Sequence, residues 1–436
     1  MITSLRILTF LLFALSGLHF VRINSPKAGS LGLPKMLAGA LVPYLTLLSA
    51  LGALLGLALG DPWSLGAGVA GAAISAMHFL RVIAPHQSFE RTFGAGWQAR
   101  LSPSQSSAML KRRWSPRLPT SPQPRWERDI AFWRIPGTQR NLLCDLWQPP
   151  EGVTSSGLGI VFFHGSGWHF LDKDFGTRPF FRHLAAQGHV IMDVAYRMCP
   201  ETDFNGIIGD AKRGIAWMKT NATRFGVDLH KIVVMGASAG GHMSLLSAYA
   251  PQDERMIPDD VRGMDLSVIA AVSYYGPSDM RLYHQHAGRT MGFTEVDLPP
   301  KAPGLFDRVM NRIRDMLVKS NWYPITHRQM MKNLLGGQPD EVPEAYDLAS
   351  PVNYVSPQSP PTLLFHGEHD QIVPVTATRL LYKKLVENNV PAIYVEFPQT
   401  DHAFDVAFQG ISPNSPAAQA ALYDVERFLA LLMSRS

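Results

Sequence analysis

The stretch KIVVMGASAGG, residues 231–241, decides the fold. It opens with a short apolar run of the kind that forms a buried strand, and the small residues after it begin a predicted helix. Between the two stands the pattern G-x-S-x-G, whose glycines permit a turn too tight for larger side chains. Such a turn raises the hydroxyl of Ser238 above the sheet, beside helix N–H groups that favour negative charge. Ser238 is therefore the candidate nucleophile.

Strands and helices alternate on both sides of this turn. Apolar runs predict strands at residues 130–135, 142–147, 159–163, 189–194, 231–235, 266–274, 361–365 and 392–397. Apolar spacing and composition predict helices at residues 208–225, 239–250, 376–387 and 416–432. This alternation predicts a mostly parallel sheet with helices on both faces. It stops between Tyr275 and Ser359, where residues 305–319 carry an apolar helical stripe.

A second glycine-rich turn, HGSGW at residues 164–168, follows the predicted strand 159–163. Such a turn leaves backbone N–H groups unpaired, and a developing oxyanion can occupy them. The alternative is an ordinary turn at the end of a strand. The serine turn further along the chain favours the oxyanion interpretation. We expect His164 itself to be a structural hydrogen-bonding residue.

A serine nucleophile needs a base, and the base needs an acid that orients it. Asp370 and His402 follow Ser238 in that order, and each comes just after a predicted strand of its own. The carboxyl ends of parallel strands are where such a sheet gathers its active site. Glu368 is an alternative acid, and His366 or His369 is an alternative base.

The sequence predicts no structural metal. His366, Glu368 and His369 could be taken for a metal site, but no further ligands stand at a supportive spacing. Cys144 and Cys199 form neither a C-x-x-C pair nor a zinc pattern, so we expect free thiols.

Three apolar runs precede the catalytic region, at about residues 5–23, 37–59 and 65–84. About 20 apolar residues cross a bilayer core of ~30 Å. Residues 1–84 are therefore predicted to form a membrane region with two to three transmembrane helices. Alternatives are a signal peptide cleaved within residues 1–16 and, for all three runs, buried helices of a soluble protein.

Residues 85–128 are rich in proline and arginine and are predicted to be a tether, with no compact element after residue 102. Residues 1–128 hold 13 lysines and arginines against 3 acidic residues, whereas residues 129–436 hold 27 against 32. The basic excess therefore lies beside the apolar runs, and no nucleic-acid-binding face is expected on the catalytic region.

The charges near the apolar runs predict the side of the membrane. Basic residues stand in the first connecting loop and after the third run, at positions 22, 27, 35, 81 and 91. The short loop between the second and third runs holds Asp61 instead. The positive-inside rule then puts the catalytic region in the cytoplasm. Arg6 opposes this assignment, and cleavage of a signal peptide would reverse it.

Residues 129–436 resemble the hormone-sensitive-lipase-like branch of the α/β-hydrolase family, which includes bacterial carboxylesterases and membrane-anchored arylacetamide deacetylases. The matching blocks are HGSGW at 164–168, YRMCPE at 196–201, the segment 210–241, HGEHD at 366–370 and DHAF at 401–404. The resemblance implies an α/β-hydrolase fold over residues 129–436, with a cap insertion at about 276–359. Residues 1–128 lie outside it.

The resemblance also implies a set of site residues. These are the triad Ser238, Asp370 and His402, and the backbone N–H groups of Ser166, Gly167 and Ala239 as the oxyanion hole. It implies hydrolysis of short- to medium-chain acyl esters with neither metal nor organic cofactor. Ser166 stands where the family has glycine. Its N–H remains, so the hole should survive, while the approach of bulky alcohols changes.

The sequence therefore predicts a membrane-anchored serine carboxylic-ester hydrolase, esterase-like or lipase-like, that acts on an apolar small-molecule or lipid ester. An acyltransferase, an amidase or a peptidase would use the same triad and the same acyl-enzyme. A non-catalytic binding protein on this fold is a further alternative.

Overall fold

The computed structural model describes residues 1–24, 31–290, 325–405 and 415–434. One sheet of eight strands organises these residues in the order β1-β2-β4-β3-β5-β6-β7-β8. The strands are β1 (Arg125–Arg134), β2 (Asn141–Gln148), β3 (Gly157–Phe163), β4 (Val190–Ala195), β5 (Val227–Ala237), β6 (Ala270–Tyr274), β7 (Thr362–Gly367) and β8 (Ala392–Phe397). β2 is antiparallel to β1 and to β4, and all other neighbouring strands are parallel.

The helices fall into an N-terminal group and a group around the sheet. The first group is α1 (Ile2–Gly17), α2 (Gly32–Ala40), α3 (Val42–Ala58), α4 (Pro62–Val82), α5 (Ser88–Phe93) and α6 (Pro103–Ala108). The second is α7 (Arg178–Ala185), α8 (Phe204–Thr220), α9 (Ala239–Tyr249), α10 (Met280–Thr290), α11 (His327–Leu335), α12 (Pro343–Leu348), α13 (Val375–Glu387) and α14 (Pro416–Met433).

Helices cover both faces of the sheet, because the central strands bury side chains on both sides. In β3, Ile160 and Phe162 belong to the core cluster that includes residues of α7 and α14, whereas Val161 and Phe163 belong to the cluster that includes residues of α8, α9 and α13. A strand buried on both faces has a nearly continuous apolar sequence, as β3 does. The predicted mostly parallel sheet with helices on both faces is confirmed.

The predicted cap insertion at 276–359 contains α10, α11 and α12. Its predicted helix at 305–319 lies outside the described residues.

Helices α1, α3 and α4 pack together through small residues. A Cβ atom on Gly68 would lie 2.5 Å from the backbone nitrogen of Ala53, and one on Gly56 would lie 2.5 Å from that of Leu65. Their outer surfaces are apolar, with exposed side chains that include Leu8, Leu11, Leu47, Leu51, Leu54, Leu57 and Val69. Close contact through small residues and an apolar exterior are typical of membrane helices. Two helices, Ile2–Phe20 and Pro62–Val82, have the length and hydropathy of a membrane span.

The predicted single helix 37–59 is wrong. The segment forms two helices, α2 and α3, which meet at Leu41 with a bend of 82°. The pair is long enough for a third membrane span only if the two helices are taken together. Pro43 lies in the first turn of α3. Proline has no backbone N–H and its ring clashes with the preceding turn, so it begins a helix but does not continue one.

The predicted absence of a compact element after residue 102 is also wrong. Residues 103–108 form α6, which Ser102 begins with a capping box. The segment that follows is hydrogen-bonded to α14, where the N–H groups of Leu110 and Ser115 donate to Glu426 and Gln419. Strand β1 then begins at Arg125, inside the predicted tether. These partners lie some 300 residues away along the chain, and local composition does not reveal them.

Candidate active site

Ser238 lies between the last residue of β5 and the first residue of α9, as the G-x-S-x-G pattern predicts. Its φ of 53° is in the left-handed region, which a residue with a side chain adopts only under strain. The flanking positions must be glycine, because a Cβ on Gly240 would lie 1.9 Å from the carbonyl oxygen of Phe163 and one on Gly236 would lie 2.4 Å from Gly240. Close packing thus enforces the turn.

Three of the predicted site residues form one hydrogen-bonded line. Oγ of Ser238 lies 3.0 Å from Nε2 of His402, and Nδ1 of His402 lies 2.7 Å from Oδ2 of Asp370. Asp370 follows β7 and His402 follows β8, at the same edge of the sheet as Ser238. The other carboxylate oxygen of Asp370 accepts hydrogen bonds from the N–H groups of Ile372 and Val373, both at 2.8 Å. These bonds fix the carboxylate toward the imidazole.

The electrostatics of this line keep the acid ionised. Burial alone would raise the pKa of Asp370, but the charge of His402 and hydrogen bonds from His366 and His402 hold that pKa well below its ordinary value. A hydrogen-bonded opposite charge outweighs the cost of desolvation here. An ionised Asp370 can orient His402 and stabilise its protonated form.

The alternative acid and bases lie elsewhere. Glu368 forms an ion pair with Arg22 at 2.5 Å and accepts a hydrogen bond from the N–H of Gln399. His366 is buried, with Nδ1 2.8 Å from Oγ1 of Thr378 and Nε2 3.2 Å from Oδ2 of Asp370, the oxygen that also contacts His402. His369 contacts Lys35. The structure brings none of the three to Ser238.

The HGSGW turn passes beside Ser238, because a Cβ on Gly165 would lie 3.5 Å from Cβ of Ser238. The side chain of Ser166 turns away from the nucleophile. Its Oγ lies 2.7 Å from the hydroxyl of Tyr196 and accepts the N–H of Trp168 at 2.8 Å. Tyr196 in turn donates to the carbonyl of His164. These bonds shape the turn on the side remote from Ser238.

The predicted oxyanion donors remain available for a ligand. Within the described part of the chain, the backbone N–H groups of Ser166, Gly167 and Ala239 donate no hydrogen bond. Two of these N–H groups lie in the turn that passes beside Ser238, and the third lies at the start of α9.

Two residues that contact parts of the site, Tyr275 and Tyr196, were given no role from the sequence. The ring of Tyr275 lies 4.3 Å from the ring of His402, centre to centre, and its hydroxyl donates to Asp405. Tyr275 directly follows β6. Its position at the carboxyl end of a predicted strand was the one feature of the sequence that pointed to the site. Tyr196 was seen only as part of the YRMCPE block.

The remaining polar candidates have structural roles. His242 is buried and Nε2 lies 2.7 Å from the carbonyl oxygen of Ala349. Cys144 and Cys199 are free and buried, as predicted. In the described ranges, no three His, Cys, Asp or Glu side chains are grouped closely enough to hold a metal.

Residues 144–297 and 311–385, about half of the chain, match the family model described as BD-FAE. The chain belongs to the BD-FAE family. Together with the fold, this match confirms the predicted resemblance to α/β-hydrolase carboxylesterases. The segment matched in this BD-FAE member includes Ser238 and Asp370, whereas His402 lies beyond it.

Two of the proteins similar to this BD-FAE member come from Mycobacterium tuberculosis. The probable carboxylic ester hydrolase LipM is 31% identical over 290 residues, and esterase LipC is 28% identical over 265 residues. The matches cover 66% and 61% of this chain and 57% of each relative. The chain thus spans little more than half the length of these proteins.

Among solved structures, esterase 2 of Thermogutta terrifontis phosphonylated by sarin has a TM-score of 0.51 with this chain. It is 20% identical, and the match covers 72% of this chain and 95% of that one. At this identity the likeness establishes the shared fold.

Proposed function

We propose that this protein is a serine carboxylic-ester hydrolase, esterase-like or lipase-like, that acts on an apolar acyl ester. The observation that carries the proposal is the continuous hydrogen-bonded line from Ser238 through His402 to Asp370. The relatives LipM and LipC, named as a probable carboxylic ester hydrolase and an esterase, support the ester as substrate class.

The geometry supports a two-step reaction. Nε2 of His402 takes the proton of Ser238 as Oγ attacks the ester carbonyl, and Asp370 stabilises the imidazolium. The N–H groups of Ser166, Gly167 and Ala239 hold the oxyanion. His402 then gives the proton to the departing alcohol, which leaves an acyl group on Ser238. Water activated by the same imidazole releases the acid.

A chain-length series of nitrophenyl esters tests this proposal, with matched anilides and thioesters beside it. We expect the full chain to hydrolyse the esters with kcat/KM that depends on acyl length, and to cleave the anilides far more slowly. Faster cleavage of the anilides would replace the esterase by an amidase. Acyl transfer to an added alcohol in preference to water would replace it by an acyltransferase.

We also propose that the N-terminal helices anchor the protein in a membrane, with the hydrolase in the cytoplasm. The start of α1 and the α3–α4 loop lie together, because Arg6 forms an ion pair with Asp61 at 2.6 Å. The opposite end of the helices contacts the hydrolase, where Val82 packs in its core. Arg22, Lys35 and Arg81 lie at the hydrolase end and outnumber Arg6 at the other end, so the bias in lysine and arginine favours a cytoplasmic hydrolase.

Protease treatment tests the sidedness. In intact cells that express the full chain, we expect the hydrolase to resist added protease and to become sensitive after lysis, because the basic residues near the helix ends retain their loops in the cytoplasm. Digestion of the hydrolase without lysis would place it outside. A known surface-exposed protein serves as the control for protease activity.

A further inference from the structure

A buried lysine of the N-terminal region reaches the candidate active site. Lys35 lies on α2, and its side chain is 1% exposed. Its Nζ lies 3.0 Å from Oδ2 of Asp401, whose side chain is 5% exposed, and 3.2 Å from Nδ1 of His369. A charged side chain is rarely buried to this extent unless it is paired.

The two partners of Lys35 are the immediate neighbours of two triad candidates. Asp401 precedes His402, and His369 precedes Asp370. The two loops also touch directly, because the N–H of His369 donates to the carbonyl of Thr400 at 2.9 Å. One ammonium group therefore joins the loop that carries the acid to the loop that carries the base.

The protonation states of the partners suit this role. Burial lowers the pKa of His369 to about 4, and the charge of Lys35 is the second cause. The ring is therefore neutral near pH 7, and Nδ1 can accept a hydrogen bond. Burial raises the pKa of Asp401 to about 6, and Lys35 opposes that rise. Asp401 thus remains largely ionised near pH 7 while Lys35 is in place.

Other contacts show that α2 is seated on the same loops. A Cβ on Gly32 would lie 2.7 Å from Nε2 of Gln371, the residue after Asp370. Arg22, which precedes α2, pairs with Glu368 in the acid loop, but this side chain is 55% exposed. The ion pair of Lys35 with Asp401 is buried, whereas the ion pair of Arg22 with Glu368 is open to solvent. Water screens the exposed pair and weakens it.

We propose, on the basis of the function proposed above, that Lys35 is a positioning residue for the triad. It holds the acid and base loops together, so that the alignment of Asp370 with His402 depends on α2 being docked. The activity of the hydrolase is thereby tied to its N-terminal helices.

Lys35→Met tests the proposal in the full-length protein, purified in detergent. The change keeps most of the length and the apolar character of the stem, and it removes the charge. Misplacement of a catalytic group by about 1 Å costs on the order of 10²-fold in rate. We expect kcat to fall about 10- to 100-fold with KM nearly unchanged, because alignment and not substrate binding is lost. Wild-type kcat in this variant would overturn the proposal.

The double variant Lys35→Met/Asp401→Leu separates positioning from stability. It removes the unpaired buried carboxylate that the single variant leaves, and replacing a buried ion pair by apolar residues is often neutral for stability. We expect its melting temperature to approach that of the wild type while kcat stays low. If kcat recovers together with stability, Lys35 only neutralises Asp401 and the proposal is wrong.

Arg22→Gln is the matched control, because it breaks an exposed pair between the same N-terminal region and the same loop. We expect its kcat to stay within about twofold of the wild type, as the small value of exposed pairs implies. A loss as large as that of Lys35→Met would overturn the specific role of Lys35. If the wild type itself hydrolyses no ester, the proposed function fails. If the wild type is active and Lys35→Met has the same kcat, only the positioning role is refuted.

Discussion

Ser238→Ala is expected to lower ester turnover by a factor on the order of 10⁶, because loss of the nucleophile abolishes the acyl-enzyme route. The fold should survive, since alanine removes only the Oγ that points at His402. The measurements are kcat with a nitrophenyl ester and labelling by a fluorophosphonate probe. We expect both to vanish while the melting temperature stays near that of the wild type.

Ser244→Ala is the matched control for this change. Ser244 lies on the same helix, α9, and its hydroxyl donates only to the carbonyl of Gly240, at 2.9 Å. We expect Ser244→Ala to keep its probe labelling and its turnover. Labelling that persists in Ser238→Ala would assign the nucleophile to another residue.

Asp370→Asn is expected to lower turnover about 10⁴-fold. The amide cannot stabilise the imidazolium of His402, and its NH₂ group favours the tautomer of His402 that cannot accept the proton of Ser238. KM should change little, since Asp370 is buried behind the imidazole and contacts His402 rather than the open site. Steady-state kinetics of the variant check both expectations.

Glu368→Gln is the matched control, because Glu368 was the alternative acid and lies two residues away. Its carboxylate pairs with Arg22 and is partly exposed, so we expect a change in turnover of only a few-fold. The reverse ranking of the two variants would transfer the role of the acid to Glu368.

The three residues of the hydrogen-bonded line could be predicted from the sequence because each one follows a strand. Ser238, Asp370 and His402 come after β5, β7 and β8, and parallel strands deliver their carboxyl ends to one edge of the sheet. The order of the strands then brings residues 164 and 32 positions apart, Ser238 with His402 and His402 with Asp370, into hydrogen-bond contact. Apolar runs and tight turns are local signals that placed all three residues at this edge, but they left Glu368, His366 and His369 open as alternatives.

The role of Lys35 could not be found in the same way. In the sequence, Lys35 is a basic residue beside an apolar run. It was therefore used only as one of the positive charges that predict the side of the membrane. Its contact with Asp401 and His369 depends on the break at Leu41, which turns α2 onto the hydrolase. Proline in the first turn of α3 was the available signal for that break. The partners of a long side chain are set by tertiary contacts that no local pattern encodes.

The 82° bend between α2 and α3 has a consequence for orientation. In the membrane-anchored arrangement proposed above, with α3 along the bilayer normal, α2 lies almost parallel to the membrane plane. The loops docked on α2 are those at the carboxyl edge of the sheet, so that edge faces the headgroup layer. In this proposed arrangement, we expect an ester dissolved in the membrane to reach Ser238 by lateral diffusion, with the covalent chain setting the distance of the active site from the lipid surface.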